Sequence, residues 1–179
     1  MSSLRDMPRG TVLQVCHVVH DIEKHVNTWV RTFGAGPFFR ATFQIDGHTY
    51  RGQPHRVNLH VAVGCVGSTI VELSQPADDA PSLFREVLES RGEGLHHYWI
   101  QAPSFDDEIA RYAAAGCEYV GGGDLPRMGR GAFVDTTRTL GCFTEPLELN
   151  HMGWSLLDQM HVAHLTWDGL DRIRPYPAF

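Results

Sequence analysis

Cysteine is scarce and scattered in this chain of 179 residues: Cys16, Cys65, Cys117 and Cys142 stand far apart and form no C-x-x-C pair. A disulfide framework or a zinc finger is therefore not expected, and the four read as reduced thiols of a cytoplasmic protein. Long hydrophobic runs are also missing. No stretch of about 18 apolar residues occurs, so no transmembrane helix is expected. The stretch Met1 to Gly10 lacks the apolar core of a secretory signal. Positive charge is in deficit, and a formal net charge of −6 argues against a nucleic-acid or anionic-membrane partner. What is present is ordinary globular material: 42% hydrophobic and 20% charged residues, enough for one domain or for two small modules sharing a core.

Two stretches read as one unit written twice, Gln14 to Glu72 and His97 to Glu148. Each opens with a β-type run carrying a polar residue of metal-ligand type, Leu13-Gln14-Val15-Cys16 and Leu95-His96-His97-Tyr98-Trp99. Seven residues after Gln14 and after His97, a helical pattern starts at Asp21 and at Ser104. Each unit closes on a strand with a glutamate between apolar neighbours, Val71-Glu72-Leu73 and Leu147-Glu148-Leu149. Glutamate follows ligand after 58 residues in the first unit and 51 in the second.

The element pattern supports the repeat. Strands are expected near 11–19, 38–44, 57–63 and 69–74, with a helix at about 22–33 capped by Asp21 and stopped by Gly34-Ala35-Gly36-Pro37. Asp46-Gly47 signals a hairpin, within a polar loop over about 46–55. After a linker and a short helix at 82–90, the second unit repeats the order. It has strands near 95–101, 117–121, 132–136 and 143–150, and a helix at about 104–115. The Gly-rich segment 121–131 reads as a loop between two strands. It lacks the Lys-Ser/Thr ending of a phosphate-binding loop and does not open a helix. The expected domain plan is residues 1–150 as paired β-α-β-β-β modules (11–75 and 95–150) sharing one site. A tail at 151–179 carries one helix, near 154–166.

Side chains alternate across a strand with period two. Gln14 and Cys16 therefore share a face, as do Ile70 and Glu72, and His97 and Trp99, while Glu148 faces away from Leu147 and Leu149. The opposite faces are mostly apolar, as expected beneath helices. A carboxylate set between apolar neighbours is costly to bury alone. A divalent cation would account for two such carboxylates, an imidazole and an amide together, whereas a wet sheet face would account for each separately.

These segments resemble the vicinal oxygen chelate superfamily, which holds glyoxalase I, methylmalonyl-CoA epimerase, extradiol dioxygenases and antibiotic-resistance proteins. The resemblance covers about residues 11–150. It rests on Gln14 to Glu23, Val71 to Pro76, the run Gly92-Glu93-Gly94-Leu95-His96-His97, which is similar to the epimerase branch, and Pro146 to Asn150. It implies an α+β fold in which two β-α-β-β-β modules form a cupped, half-open mixed sheet around a metal that chelates two neighbouring oxygens of a substrate. It also implies that the first ligand lies seven residues before the aspartate opening the helix. That position is Gln14. His17 has the wrong parity and belongs to the helix-packed face.

The ligand set implied is Gln14, Glu72, His97 and Glu148, as in the animal-type glyoxalase I branch. An oxygen-rich site with one nitrogen suits Zn²⁺, Co²⁺, Ni²⁺, Mn²⁺ or Mg²⁺, and it differs from the two-His, one-carboxylate iron site of extradiol dioxygenases. The C-terminal helix, the long 46–55 loop and the lack of a glutathione-binding pattern depart from glyoxalase I. The function implied is a metal-dependent isomerase, epimerase or lyase, in a homodimer, acting on a small carbonyl-containing molecule through an enediolate-type intermediate. Glu72 or Glu148 would move the proton, and Cys16, His60, Ile70 and Trp99 would shape the pocket. The alternatives are a non-catalytic binding or resistance protein and an iron-dependent dioxygenase. Metal-free binders have no reason to keep four ligands on inward faces, which favours the enzyme.

Overall fold

The computed structural model describes residues 4–101 and 104–177. The first three residues of the expected N-terminal module and the last two of the expected tail lie outside the described residues.

The order begins with a short 3-10 turn, then β1 (Val12–Val18), α1 (Ile22–Phe33), β2 (Phe38–Tyr50), β3 (Gln53–Val66) and β4 (Thr69–Pro76). It continues with α2 (Leu83–Arg91), β5 (Gly94–Ile100), α3 (Phe105–Ala114), β6 (Tyr119–Leu125) and β7 (Gly129–Val134). Last come α4 (Thr137–Leu140), β8 (Phe143–Glu145), β9 (Leu147–Leu149), α5 (His151–Leu165) and β10 (Ile173–Pro175). Local chemistry fixes the helix starts. Asp21, Ser82 and Ser104 each accept a hydrogen bond from a backbone N–H three residues on. Gly34, in the left-handed region at φ 66°, ends α1.

One mixed sheet runs in the order β10-β2-β3-β4-β1-β5-β8-β7-β6. β1 pairs antiparallel with β5 at the centre, and each is flanked by a parallel strand, β4 beside β1 and β8 beside β5. The order is therefore mirrored about the β1–β5 seam. β2 also meets β6 through Thr49↔Gly122 and Tyr50↔Gly121, which curls the sheet into a barrel-like cup. Two apolar layers hold it. Ile22 and Val26 of α1 pack with Val71 and Leu73 on the outer face. Cys16, Val61, Val63 and Trp99 belong to the inner layer, with Leu156, Leu157 and Met160 of α5. Each large aliphatic side chain so buried contributes about 1.5–3 kcal/mol.

Two expectations about loops and one about a strand are corrected. The segment 46–55 is not a loop: β2 and β3 form one long hairpin, and Asp46-Gly47 sits at the register shift between Ile45 and His48. The turn is Arg51-Gly52, with φ of 46° and 77°, the left-handed pair that matches strand twist. The Gly-rich segment 121–131 is likewise mostly hairpin. β6 is squeezed between β2 and β7, where a Cβ on Gly121 would come 2.7 Å from Thr49 O and one on Gly122 2.4 Å from Gly131 O. Its glycines permit close backbone approach. Finally, the expected strand 143–150 is two short strands broken at Pro146, which cannot donate to a ladder.

Candidate metal-chelate site

The β1–β5 seam and its two parallel neighbours bring four polar side chains together inside the cup. Gln14 comes from β1, Glu72 from β4, His97 from β5 and Glu145 from the end of β8. Gln14 Nε2 lies 2.9 Å from Glu72 Oε2 and 3.3 Å from His97 Nε2. His97 Nε2 lies 3.2 Å from Glu145 Oε2. Gln14 and His97 are buried, and the Glu145 side chain is 13% exposed. Ligand atoms each about 2.0–2.2 Å from an ion and at right angles would sit about 3 Å apart, the spacing seen here. The amide of Gln14 would turn to offer its oxygen, an exchange that leaves its shape unchanged. The donor set thus fits a divalent cation.

Glu148 does not join this group. Pro146 breaks the strand, and Glu148 lies on the separate β9, opposite Arg130 of β7. Glu148 is 47% exposed, and Arg130 Nε donates to it at 2.7 Å. The same guanidinium reaches Asp106 at 3.1 Å and lies over the Phe105 ring. Glu145 was missed because it stands between Thr144 and Pro146 and not between two apolar strand residues. The proline itself was the available signal.

The two glutamates inside are held differently. Glu72 Oε1 accepts from Ser74 Oγ at 2.7 Å and faces Cys16 Sγ at 3.5 Å, while Oε2 meets Gln14. Glu145 has the His97 ring as its close partner and otherwise faces the cavity. Burial pushes the His97 imidazole toward its neutral form. The carboxylates of Glu145 and Glu72 outweigh this and hold its pKa above the usual value.

Behind His97 lies His96, fully buried, with the two Nδ1 atoms 2.8 Å apart. Burial, followed by His97, drives His96 well below the ordinary imidazole pKa, so it is neutral. The two Nδ1 atoms share one proton between them, and with His97 Nδ1–H as the donor, His97 Nε2 is left facing Gln14 and Glu145. Phe84 stacks on His96 at 4.1 Å and fixes its plane. Cys16, His96 and His97 also offer ligand atoms within 4.8 Å of one another. In that cluster Cys16 and His96 are sealed from solvent, and burial followed by Glu72 pushes the Cys16 thiol pKa up and keeps it protonated.

Gln14, Glu72, His97 and Glu145 line a cavity of about 410 Å³, with Trp99 and a wall of mainly aliphatic and aromatic side chains. Cys16 and Ile70 are buried behind it and do not line it. His60 is on the other face of β3 from Val57, Leu59, Val61 and Val63, which do, and its Nδ1 is 2.9 Å from Thr42 Oγ. His17 is also on the outer side, edge-on to Trp29 of α1 at 5.4 Å.

Residues 13–133, about two thirds of the chain, match the model of the Glyoxalase/Bleomycin resistance protein/Dioxygenase superfamily. No curated protein sequence matches at a significant level. Among solved structures, methylmalonyl-CoA epimerase from Mycobacterium tuberculosis is similar at 16% identity and TM-score 0.56, over 83% of this chain and 96% of that one. A variant of the epimerase from Streptomyces coelicolor, in complex with 2-nitronate-propionyl-CoA, shares 20% identity at TM-score 0.58, over 78% and 94%. A variant of 4-hydroxymandelate synthase from Streptomyces coelicolor shares 13% at TM-score 0.55, over 82% of this chain and 43% of that one. These likenesses are likenesses of fold, and one fold serves different reactions.

Proposed function

Because the chain belongs to the Glyoxalase/Bleomycin resistance protein/Dioxygenase superfamily, we propose that it is a metal-dependent isomerase, epimerase or lyase. Its substrate is a small carbonyl compound with an acidic neighbouring C–H, and the reaction passes through an enediolate-type intermediate. The observation that carries this reading is the convergence of Gln14, Glu72, His97 and Glu145 on one patch of an otherwise apolar cavity. These four residues would hold the cation. When bound, it would supply Lewis acidity that stabilises negative charge on two neighbouring substrate oxygens.

The chain's own residues carry the proton. Glu145 is the base: it is the less restrained carboxylate, and it faces the cavity. It takes the proton from the carbon beside the carbonyl and returns it to the same or the adjacent carbon, so no other reactant is consumed. Glu72, tied by Ser74 and Gln14, stays in place. His96 holds the His97 ring in one orientation through the Nδ1 pair. The apolar wall excludes water and strengthens the electrostatic interactions inside. The donor set has one imidazole on the cavity side and two carboxylates, which is not the two-His, one-carboxylate triad of iron oxygenases. The likeness to epimerases solved with methylmalonyl-CoA or 2-nitronate-propionyl-CoA supports proton transfer next to a carbonyl.

The test is metal analysis of the purified protein, followed by NMR of candidate 2-oxo acids and acyl thioesters in D₂O. A true substrate should exchange a carbon-bound hydrogen. Glu145→Gln, assayed at saturating metal, should keep the fold but lose at least about 100-fold in exchange rate. Metal-loaded protein that turns over a substrate without any exchange would exclude the proton-transfer reading.

A further inference from the structure

The wall of the cavity carries information that the proton transfer does not use. Leu156 and Leu157 of α5, and Tyr176 just beyond β10, line the cavity. They come from the segment that follows the mirrored sheet. The segment is tied down at both ends. The Trp154 and Trp99 rings lie 5.6 Å apart, and Leu156 and Leu157 are buried in the inner core. β10 pairs in parallel with β2, and Tyr176 N–H donates to the Arg40 carbonyl at 3.1 Å. The Tyr176 ring meets Phe43 edge-on at 5.4 Å. The C-terminal segment is thus a packed wall of the cup.

Size and charge both limit what can enter. The cavity, about 410 Å³, lies toward the small end of the roughly 300–1,000 Å³ typical of ligand pockets. Coenzyme A derivatives carry several phosphate charges, which need cations or helix N-termini to receive them. Lys24 is the chain's only lysine, and it is exposed on α1, the helix of the outer face. Among the described residues lining the cavity, Arg127 alone is permanently cationic, and it is already engaged. Trp99 lines the same cavity with a buried indole N–H that has no partner among the described residues. The site therefore offers apolar area and a few donors, and little to hold phosphates.

Resting on the metal-chelate reading above, we propose that the substrate is a compact molecule in which an apolar body, aromatic or branched aliphatic, is joined to two neighbouring oxygens. Leu156, Leu157 and Tyr176 set its size limit and keep coenzyme A thioesters out.

Full-length protein loaded with Co²⁺ tests this with two signals: quenching of indole fluorescence, and the visible absorption of the metal. Phenylpyruvate should bind at least about tenfold more tightly than pyruvate, since the added ring is worth one to a few kcal/mol in an apolar pocket. Methylmalonyl-CoA should not displace it. Leu157→Trp should weaken phenylpyruvate binding about tenfold or more at unchanged cobalt content. Tyr176→Ala should instead strengthen binding of the longer 2-oxo-4-phenylbutanoate, which keeps the question open to test should the tryptophan variant not fold. Methylmalonyl-CoA competing as well as phenylpyruvate, or equal binding of pyruvate and phenylpyruvate with a shifted cobalt spectrum, overturns the substrate class and leaves the metal reading standing. Phenylpyruvate binding equally well to cobalt-free His97→Ala protein upholds the compact cavity and overturns the metal reading.

Discussion

The two halves of the sheet end differently. In the first, β4 runs unbroken over Thr69–Pro76 with Glu72 near its middle, and its inward carboxylate is fixed by Ser74 two residues on. In the second, the corresponding strand stops at Glu145, gives way to Pro146, and resumes as β9 with Glu148 turned out to Arg130. The hairpins differ in the same sense. β2 and β3 are 13 and 14 residues long, whereas β6 and β7 are 7 and 6 and carry glycines where backbones crowd. A repeat can therefore keep its pairing scheme while its two copies divide the work. One copy supplies a tethered carboxylate and the other a freer one.

The largest expected effect breaks the second half at its crowded hairpin. Gly122 sits at φ 139°, and an added Cβ would strike Gly131 O at 2.4 Å. Gly122→Ala should cost about 3 kcal/mol or more. Gly47→Ala in the first half, at φ 82° with nothing within 4 Å, should cost about 1 kcal/mol. Urea unfolding of both variants compares them, and equal losses would refute the crowding argument.

Next comes the choice between the two glutamates. Glu145→Ala should weaken metal binding by more than about 100-fold, because one of the four proposed ligands is lost. Glu148→Ala removes only an exposed ion pair and should change it less than about fivefold. Competition with a chromophoric chelator measures both, and a larger loss for Glu148→Ala would return the site to the register expected from sequence.

A smaller loss should follow from His96→Phe, which retains an aromatic ring against Phe84 but removes the acceptor for His97 Nδ1–H. Metal affinity should fall roughly 10–100-fold, read in the same competition assay. Unchanged affinity would mean that the histidine pair does not orient His97.

The mildest effect is one proton. In the metal-free protein, burial opposes the charge on His97, but Glu145 and Glu72 more than offset it and raise its pKa above the unfolded value. A raised folded pKa contributes stability that is complete below about pH 6.5, the ordinary imidazole value, and is lost as pH rises through the raised value. Metal binding has the opposite sign, since it needs the neutral ring. Thermal melts of metal-free protein across that window should show the decline, and Glu145→Gln should reduce it. A flat profile in the wild type would contradict the pairing of His97 with Glu145.

Sequence and structure divide along physical lines. Helix starts were legible because capping is local: α1 begins at the residue expected from Asp21. The inward face of β1 was legible because strand parity is local too, and Gln14 and His17 lie on opposite sides of the sheet. The superfamily was legible because the repeat preserves these local signals twice. Three features needed the folded chain. The run 46–55 looked like a loop but is strand, paired across its own hairpin and braced at Thr49 and Tyr50 by β6, some 70 residues away. Glu145 looked unremarkable beside Pro146, and only the parallel pairing of β8 with β5 sets it opposite Trp99 and beside His97. The tail looked like an added helix, and only its packing over the cup turns Leu156, Leu157 and Tyr176 into a wall of the site. Turn chemistry, caps and side-chain alternation depend on neighbours in the chain, so the sequence alone determined them. Which carboxylate reaches the cavity and what bounds it depend on contacts between distant segments, and those only the tertiary structure decided.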